Sequence, residues 1–210
     1  MSEQDQPLLP GDGNNYNTLF NAAVRAAHVP GIIAEIGTRL GGSVKELIDG
    51  TLSEGVVNKN IICIDPYGGI DYLHAEERRW NYGYDNAMRN TAWRNIYSYV
   101  EGKPVNVVLM CMEDVEFFSR YADGVPFYQQ GKEVINQYSM VFFDGPHDSG
   151  AVIEEIKFFA PRSVIGTVFV FDDIWNYHHD VAHQVVIGSG FEQIPVVEGD
   201  FNRVAYVRSK

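Results

Sequence analysis

Apolar residues in this chain form short continuous runs instead of alternating with polar residues. Runs of this kind are typical of strands that are buried on both faces, as in a parallel sheet covered by helices. Between them, apolar residues recur at the three- and four-residue spacing of amphipathic helices. The pattern predicts strands over 32–36, 61–64, 105–112, 140–143 and 164–171, and helices over 16–27, 43–52, 85–100, 113–122, 150–159 and 180–187.

The last part of the chain has a different pattern. Two β-like runs, 191–197 and 203–207, are joined by a turn-rich link. Consecutive strands of this kind predict an antiparallel hairpin at the edge of a sheet. The whole pattern therefore predicts an α/β fold, a doubly wound Rossmann-like domain whose mostly parallel seven-stranded sheet ends in an antiparallel C-terminal edge hairpin.

The length of 210 residues suits one domain. We assign it to residues 16–210, because residues 1–15 are polar, contain two prolines and predict a flexible arm. Two stretches, 67–84 and 123–138, exceed ordinary loop lengths and are rich in aromatic and charged residues. Long connections of this kind are often binding loops, so we expect lid-like insertions there.

The charge balance argues against a nucleic-acid partner. The net charge is −12, with 28 acidic and 16 basic residues, whereas nucleic-acid binders usually present a basic face. The chain has no apolar run long enough to cross a membrane and no signal-peptide pattern. Cys63 and Cys111 lie in apolar runs, which predicts buried, reduced thiols. We therefore expect a cytoplasmic protein that acts on a small molecule, with a homo-oligomer left open.

A glycine-containing loop, residues 35–43, follows the first predicted strand and precedes a helix. Ligands of open α/β sheets bind at the carboxyl ends of strands where the strand order reverses, and the first strand lies at that reversal. The loop lacks the dinucleotide fingerprint, because Arg39 stands at the position of its second glycine, and it lacks a Walker lysine. Ser43 and Glu46 have capping-box spacing. A ligand site is favoured here over a plain tight turn.

Asp65 ends the second predicted strand, in the sequence Ile-Asp-Pro. A carboxylate at this place can accept hydrogen bonds from both ribose hydroxyls of a nucleoside. A solvated strand end is the alternative, and the neighbouring glycine loop makes it less favoured.

Acidic residues end the fourth and fifth strands. Asp144 and His147 follow the fourth, and Asp172 and Asp173 follow the fifth. Three carboxylates on one rim repel one another unless a proton or a cation neutralises them, and carboxylate oxygens suit Mg²⁺ or Ca²⁺. His147 lies close enough to act as the general base for a hydroxyl. The alternative is that the strand-end aspartates only cap helices.

These motifs, taken in order, resemble the class I S-adenosylmethionine-dependent methyltransferases, and most closely the macrocin-type sugar O-methyltransferases. The resemblance covers residues 32–173 and rests on Glu-Ile-Gly-Thr-x-x-Gly-Gly-Ser, Ile-Asp-Pro, Phe-Phe-Asp-Gly-x-His and Phe-Asp-Asp. It implies that Asp144, Asp172 and Asp173 bind a divalent cation such as Mg²⁺ and that His147 and Asp144 are catalytic. The cofactor-binding residues that it implies are Glu35, Gly37, Thr38, Gly41, Gly42, Ser43, Asp65, Met112, Glu113 and Asp144.

The resemblance also assigns parts of the cofactor. Residues of the glycine loop surround the methionine portion, Asp65 holds the ribose, and Glu113 lies near the adenine with apolar contact from Met112. The function that it implies is metal-assisted O-methylation of a small polar acceptor, either sugar-like or phenolic. Two alternatives remain: a non-catalytic nucleoside-binding or assembly protein, and a hydroxylase on the same fold.

Overall fold

The structure is a computed structural model that describes residues 16–76 and 78–210. The arm predicted over residues 1–15 lies outside the described residues. The helices are α1 (Asn17–Ala26), α2 (Gly42–Ser53), α3 (Asn86–Val100), α4 (Asp114–Arg120), α5 (Ser149–Phe159) and α6 (His179–Gly188). The strands are β1 (Ile32–Ile36), β2 (Lys59–Ile64), β3 (Tyr72–His74), β4 (Arg78–Trp80), β5 (Val105–Met110), β6 (Val125–Gln129), β7 (Gly131–Ile135), β8 (Tyr138–Phe143), β9 (Ser163–Phe171), β10 (Phe191–Ile194) and β11 (Val204–Arg208).

Seven of these strands form one sheet in the order β10-β11-β9-β8-β1-β2-β5. β1 pairs in parallel with both β2 and β8, so the strand order reverses beside it. β11 lies between β9 and β10 and is antiparallel to both. The predicted Rossmann-like sheet, its edge hairpin and the position of β1 at the reversal are therefore confirmed.

Helices cover both faces of the sheet, which explains the continuous apolar runs. Every residue of β1, β2 and β8 is buried. Successive side chains of β1 point to opposite faces of the sheet: Ile32, Ala34 and Ile36 pack in one core and Ile33 packs in the other. The first core contains residues of α4, α5 and α6, and the second contains residues of α1, α2 and α3. β5 is only partly buried because it is an edge strand.

Both long insertions contain antiparallel hairpins, β3–β4 and β6–β7. Two local predictions need correction. α2 begins after Gly41, which has a left-handed backbone conformation and provides no side-chain cap. The capping box predicted for Ser43 and Glu46 is therefore wrong. Cys63 is buried as expected, but Cys111 is exposed because it follows the last residue of edge strand β5.

Among the described residues, no helix combines the length and the apolar character needed to cross a membrane.

Candidate active site

A cavity of about 650 Å³ opens at the carboxyl ends of the parallel strands. Its walls come from the loops that follow β1, β2, β8 and β9, from the start of α4 and from the β3–β4 insertion. The volume lies in the ordinary range for small-molecule sites, and the position beside the strand-order reversal is where open α/β sheets bind ligands. The cavity therefore coincides with the site predicted from the glycine loop.

Gly37 allows the loop after β1 to pack against the loop after β8. It has φ +83°, and a Cβ there would lie 1.9 Å from the carbonyl oxygen of Asp144. Backbone bonds hold the approach, since the Gly37 N–H donates to the Ile64 carbonyl at 2.9 Å and the Asp144 N–H donates to the Ile36 carbonyl at 3.0 Å. Only glycine combines this conformation with this clearance. Gly37 thus couples the predicted cofactor loop to the predicted catalytic loop.

Asp65 lines the cavity and also holds the glycine loop in place. Its Oδ2 accepts the backbone N–H groups of Thr38 at 3.0 Å and Arg39 at 2.9 Å, and its Oδ1 accepts the N–H of Tyr67 at 3.1 Å. Burial raises the pKa of the Asp65 carboxyl, and these three N–H groups oppose that rise. The sequence predicted a ligand-binding carboxylate here, and the structure adds an architectural role that sequence spacing did not indicate.

Glu35 and Ser43 form a buried pair behind the loop. The Ser43 hydroxyl donates to Glu35 Oε1, and Glu35 is fully buried. Burial raises the pKa of Glu35 to about 7, with the hydrogen bond from Ser43 acting in the opposite direction. Ser43, Thr38 and Gly42 line the cavity, whereas Glu35 and Gly41 are not among its lining residues. Glu35 therefore supports the loop from beneath.

The start of α4 forms a further wall. Glu113 is the N-cap of this helix, makes a reciprocal capping box with Glu116 and lines the cavity, as predicted. Asp114 and Val115 line it as well. Met112 is not among the lining residues and packs partly buried against the hydrophobic core. The apolar contact that the resemblance implies for Met112 therefore stays a prediction.

His147 lies between two of the predicted acidic residues. Its Nε2 is 3.6 Å from Asp144 Oδ1 and 3.6 Å from Asp173 Oδ2, and the residue is 7% exposed. Burial lowers the pKa of His147 to about 4. The Asp173 carboxylate opposes this shift, and His74 adds to it. The imidazole is therefore neutral around pH 7.

His74 belongs to the site, although no motif singled it out. Its ring lies 5.2 Å from the His147 ring, edge to face. Its Nδ1 is buried and has no hydrogen-bond partner among the described residues. The hairpin that carries it is fixed to the catalytic loop, because the Ala75 N–H donates to the His147 carbonyl at 2.8 Å. The aromatic richness of the insertion was the one sequence signal available.

Asp172 does not join the other two acidic residues. Its Oδ2 accepts a hydrogen bond from Arg203 Nη2 at 3.0 Å, and its Oδ1 accepts the N–H of Asp173 at 2.9 Å. Residues 16–76 and 78–210 contain no group of three His, Cys, Asp or Glu side chains suited to hold a metal ion. The predicted ligand set of Asp144, Asp172 and Asp173 therefore does not fit a divalent cation, because a guanidinium already occupies the carboxylate of Asp172.

The β3–β4 insertion, residues 67–84, supplies an aromatic wall, which we define as Tyr72, His74, Tyr82 and Tyr84. Neighbouring ring centroids lie 5.4–6.1 Å apart between His74 and Tyr82 and among the three tyrosines. All four residues line the cavity. None of the lining residues comes from the second insertion, 123–138, so the lid expected there stays a prediction. Its Val125 and Phe127 instead pack into the core.

Comparisons with known proteins agree with this architecture. A family model described as a methyltransferase domain matches residues 34–174. The calicheamicin methyltransferase CalS11 superposes with a TM-score of 0.61 at 14% identity, covering 92% of this chain and 77% of that one. An O-methyltransferase from Bacillus cereus in complex with SAH gives a TM-score of 0.61 at 13% identity, over 98% and 86% of the two chains.

The O-methyltransferase NovP gives a TM-score of 0.62 at 14% identity, covering 93% of this chain and 79% of its own. No curated protein sequence is significantly similar to this chain. At identities this low, the superpositions establish a shared fold. The family model covers the loops after β1, β2 and β8, the β3–β4 insertion and the start of α4, and it extends past the end of β9.

Proposed function

Because the chain belongs to the methyltransferase-domain family, we propose that it transfers the methyl group of S-adenosylmethionine to a hydroxyl of a small acceptor. The observation that carries the proposal is the cavity itself, which brings the glycine loop and Asp65 together with a buried, neutral His147. The family membership and this joint site favour an enzyme over a protein that only binds a nucleoside.

The residues of the cavity fit such a donor. Gly37, Thr38 and Gly42 line the cavity, and Asp65 and Glu113 add carboxylates to its walls. An acidic wall suits a donor that carries a sulfonium and an ammonium group, and a carboxylate suits ribose hydroxyls. Asp65 and Glu113 would hold the nucleoside, and the glycine loop the amino-acid portion. S-adenosylmethionine supplies an electrophilic methyl group on its sulfonium.

The protein's own contribution is placement and proton removal. His147 Nε2 would accept the proton of the acceptor hydroxyl while the oxygen forms its bond to the methyl carbon and the carbon–sulfur bond breaks. Asp144 and Asp173, each 3.6 Å from that nitrogen, stabilise the imidazolium that results. Restricting both reactants to one cavity supplies the orientation that the displacement needs. No step is assigned to a metal ion, because Asp172 is already paired with Arg203.

We propose a phenolic acceptor in preference to a sugar-like one. The aromatic wall reaches His147 through the His74 ring, which is 5.4 Å from the Tyr82 ring and 5.2 Å from the His147 ring. Flat aromatic rings pack well against such a surface. A phenol, with a pKa of about 10 as in tyrosine, also suits a buried and therefore weak histidine base better than an aliphatic hydroxyl does.

The donor assignment is tested by calorimetry with S-adenosylhomocysteine and NAD. We expect S-adenosylhomocysteine to bind and NAD to bind far more weakly. Asp65→Asn should weaken that binding by about 1.5–3 kcal/mol, the range for a hydrogen bond to a charged group. Asp123→Asn is the matched control, since Asp123 is exposed and lies outside the cavity. Stronger binding of NAD, or equal effects of the two variants, would overturn the assignment.

The acceptor class is tested with a panel of phenols and methyl glycosides. Tyr82→Ala should raise KM for a phenol roughly 2- to 12-fold, because an aromatic contact contributes about 0.5–1.5 kcal/mol. The affinity for S-adenosylhomocysteine should not change. Tyr128→Ala serves as the control, because Tyr128 lies on the β6–β7 hairpin and is 73% exposed. Methylation of glycosides with no methylation of phenols would contradict the proposed acceptor.

A further inference from the structure

The acidic end of β9 is neutralised from within the fold. Arg203 Nη2 lies 3.0 Å from Asp172 Oδ2, and the two side chains are only 2% and 6% exposed. Arg203 Nη1 lies 3.3 Å from Asp200 Oδ2, an oxygen that also accepts the Thr18 hydroxyl at 2.6 Å. Since an arginine in a protein keeps its proton, Asp172 has a permanent positive partner. A divalent cation at the same carboxylate would be repelled by that buried guanidinium.

The same pair determines where Asp173 lies. Asp172 Oδ1 accepts the Asp173 N–H at 2.9 Å, and Asp173 has φ +48°, a left-handed conformation that a non-glycine residue adopts only with support. Asp173 Oδ2 is 3.6 Å from His147 Nε2. A continuous set of contacts therefore runs from Arg203 through Asp172 and Asp173 to the imidazole.

We infer that Arg203 replaces a divalent cation at this rim of the sheet and is a positioning residue that, through Asp172, sets the Asp173 carboxylate against His147. The positioning part rests on the proposed function. The ion part does not, because ion binding can be measured without methyl donor or acceptor. Removing Arg203 leaves Asp172 as an uncompensated buried charge on the rim that also carries Asp144 and Asp173. Such a group of carboxylates is what an oxygen-preferring cation binds.

The experiment is a titration with Mn²⁺ followed by electron paramagnetic resonance. Wild-type protein should show no stoichiometric Mn²⁺ binding, whereas Arg203→Met should bind Mn²⁺ at least about 10-fold more tightly, because a nearby positive charge is lost. Asp172→Asn in the Arg203→Met background should abolish the gain. Arg162→Met is the matched control: it also removes one positive charge, but Arg162 bonds to the carbonyls of Phe158 and Ala122 instead of to a carboxylate.

Stoichiometric binding of Mn²⁺ to the wild type that disappears in Asp172→Asn would overturn the inference, and this comparison decides the matter even if Arg203→Met fails to fold. An equal gain in Arg162→Met would also overturn it. For the positioning role, Arg203→Lys should lower kcat about 10-fold while KM for the donor stays constant, and wild-type activity should persist in EDTA. Loss of activity in EDTA would contradict the replacement of the cation. A protein without methyl transfer would leave the Mn²⁺ result standing, so the two failures are distinguishable.

Discussion

Replacing His147 with alanine should lower turnover by about 10²–10⁴-fold, the usual contribution of a positioned general base. The affinity for S-adenosylhomocysteine should stay close to that of the wild type, because the contacts proposed for the donor come from the glycine loop and Asp65 and not from the imidazole. Isothermal calorimetry and single-turnover kinetics measure the two quantities separately. His28→Ala is the matched control, since His28 is an exposed histidine at the end of α1.

The pH profile provides a second measurement on the same base. A lowered pKa means that His147 loses its proton at lower pH, so kcat/KM should rise through about pH 4 and be flat from about pH 6 to 8 as far as this group is concerned. Glu35, with a pKa raised to about 7, and Asp172, with a pKa raised to about 6, are competing groups near the site, and burial is the main cause of both shifts. A change in kcat/KM near pH 7 that persists in His147→Ala and is absent in Glu35→Gln is due to the titration of Glu35.

Unchanged turnover of His147→Ala at every pH would show that the base lies elsewhere. A more acidic phenol offers a finer distinction. If His147 removes the proton, an acceptor with a lower pKa should recover part of the lost rate, because it needs less help from the base. A variant that is equally slow with every phenol would instead indicate that the substitution displaced the loop.

Gly37→Ala should weaken S-adenosylhomocysteine binding by at least about 100-fold, which exceeds the strain of about 1–2 kcal/mol that a left-handed conformation alone imposes on alanine. The added methyl group would lie 1.9 Å from the Asp144 carbonyl oxygen, so the loops after β1 and β8 must separate. Turnover should fall with binding, because Asp144 and His147 follow the displaced segment. Calorimetry together with circular dichroism separates the loss of the site from the loss of the fold.

Gly55→Ala is the control that isolates the clash from the strain. Gly55 has φ +71°, similar to the +83° of Gly37, but a Cβ at Gly55 meets nothing within 4 Å. It should lose some stability and keep its ligand affinity. If Gly37→Ala binds S-adenosylhomocysteine as Gly55→Ala does, the close approach of the two loops has no part in ligand binding.

The local pattern of apolar residues was sufficient to predict the central strands of the sheet. Strands buried on both faces leave continuous apolar runs, and this local signal located β1, β2, β8 and β9 and the glycine loop to within a few residues of their observed limits. It also placed Asp144 and His147 together, because three residues of chain cannot separate them far. Predictions of this kind succeed because they depend on neighbours in the chain.

The remaining features of the site depend on contacts between residues that are far apart in the chain. The Arg203 guanidinium meets Asp172 across 31 positions, and that contact turns a predicted metal ligand into the partner of a buried ion pair. The β3–β4 hairpin brings His74 against His147. The composition of the chain and the spacing of its motifs do not predict these contacts. They depend on which strands are neighbours in the sheet. They also depend on the free energy of burying a charge, because a buried charge needs a partner and that partner can lie anywhere in the chain.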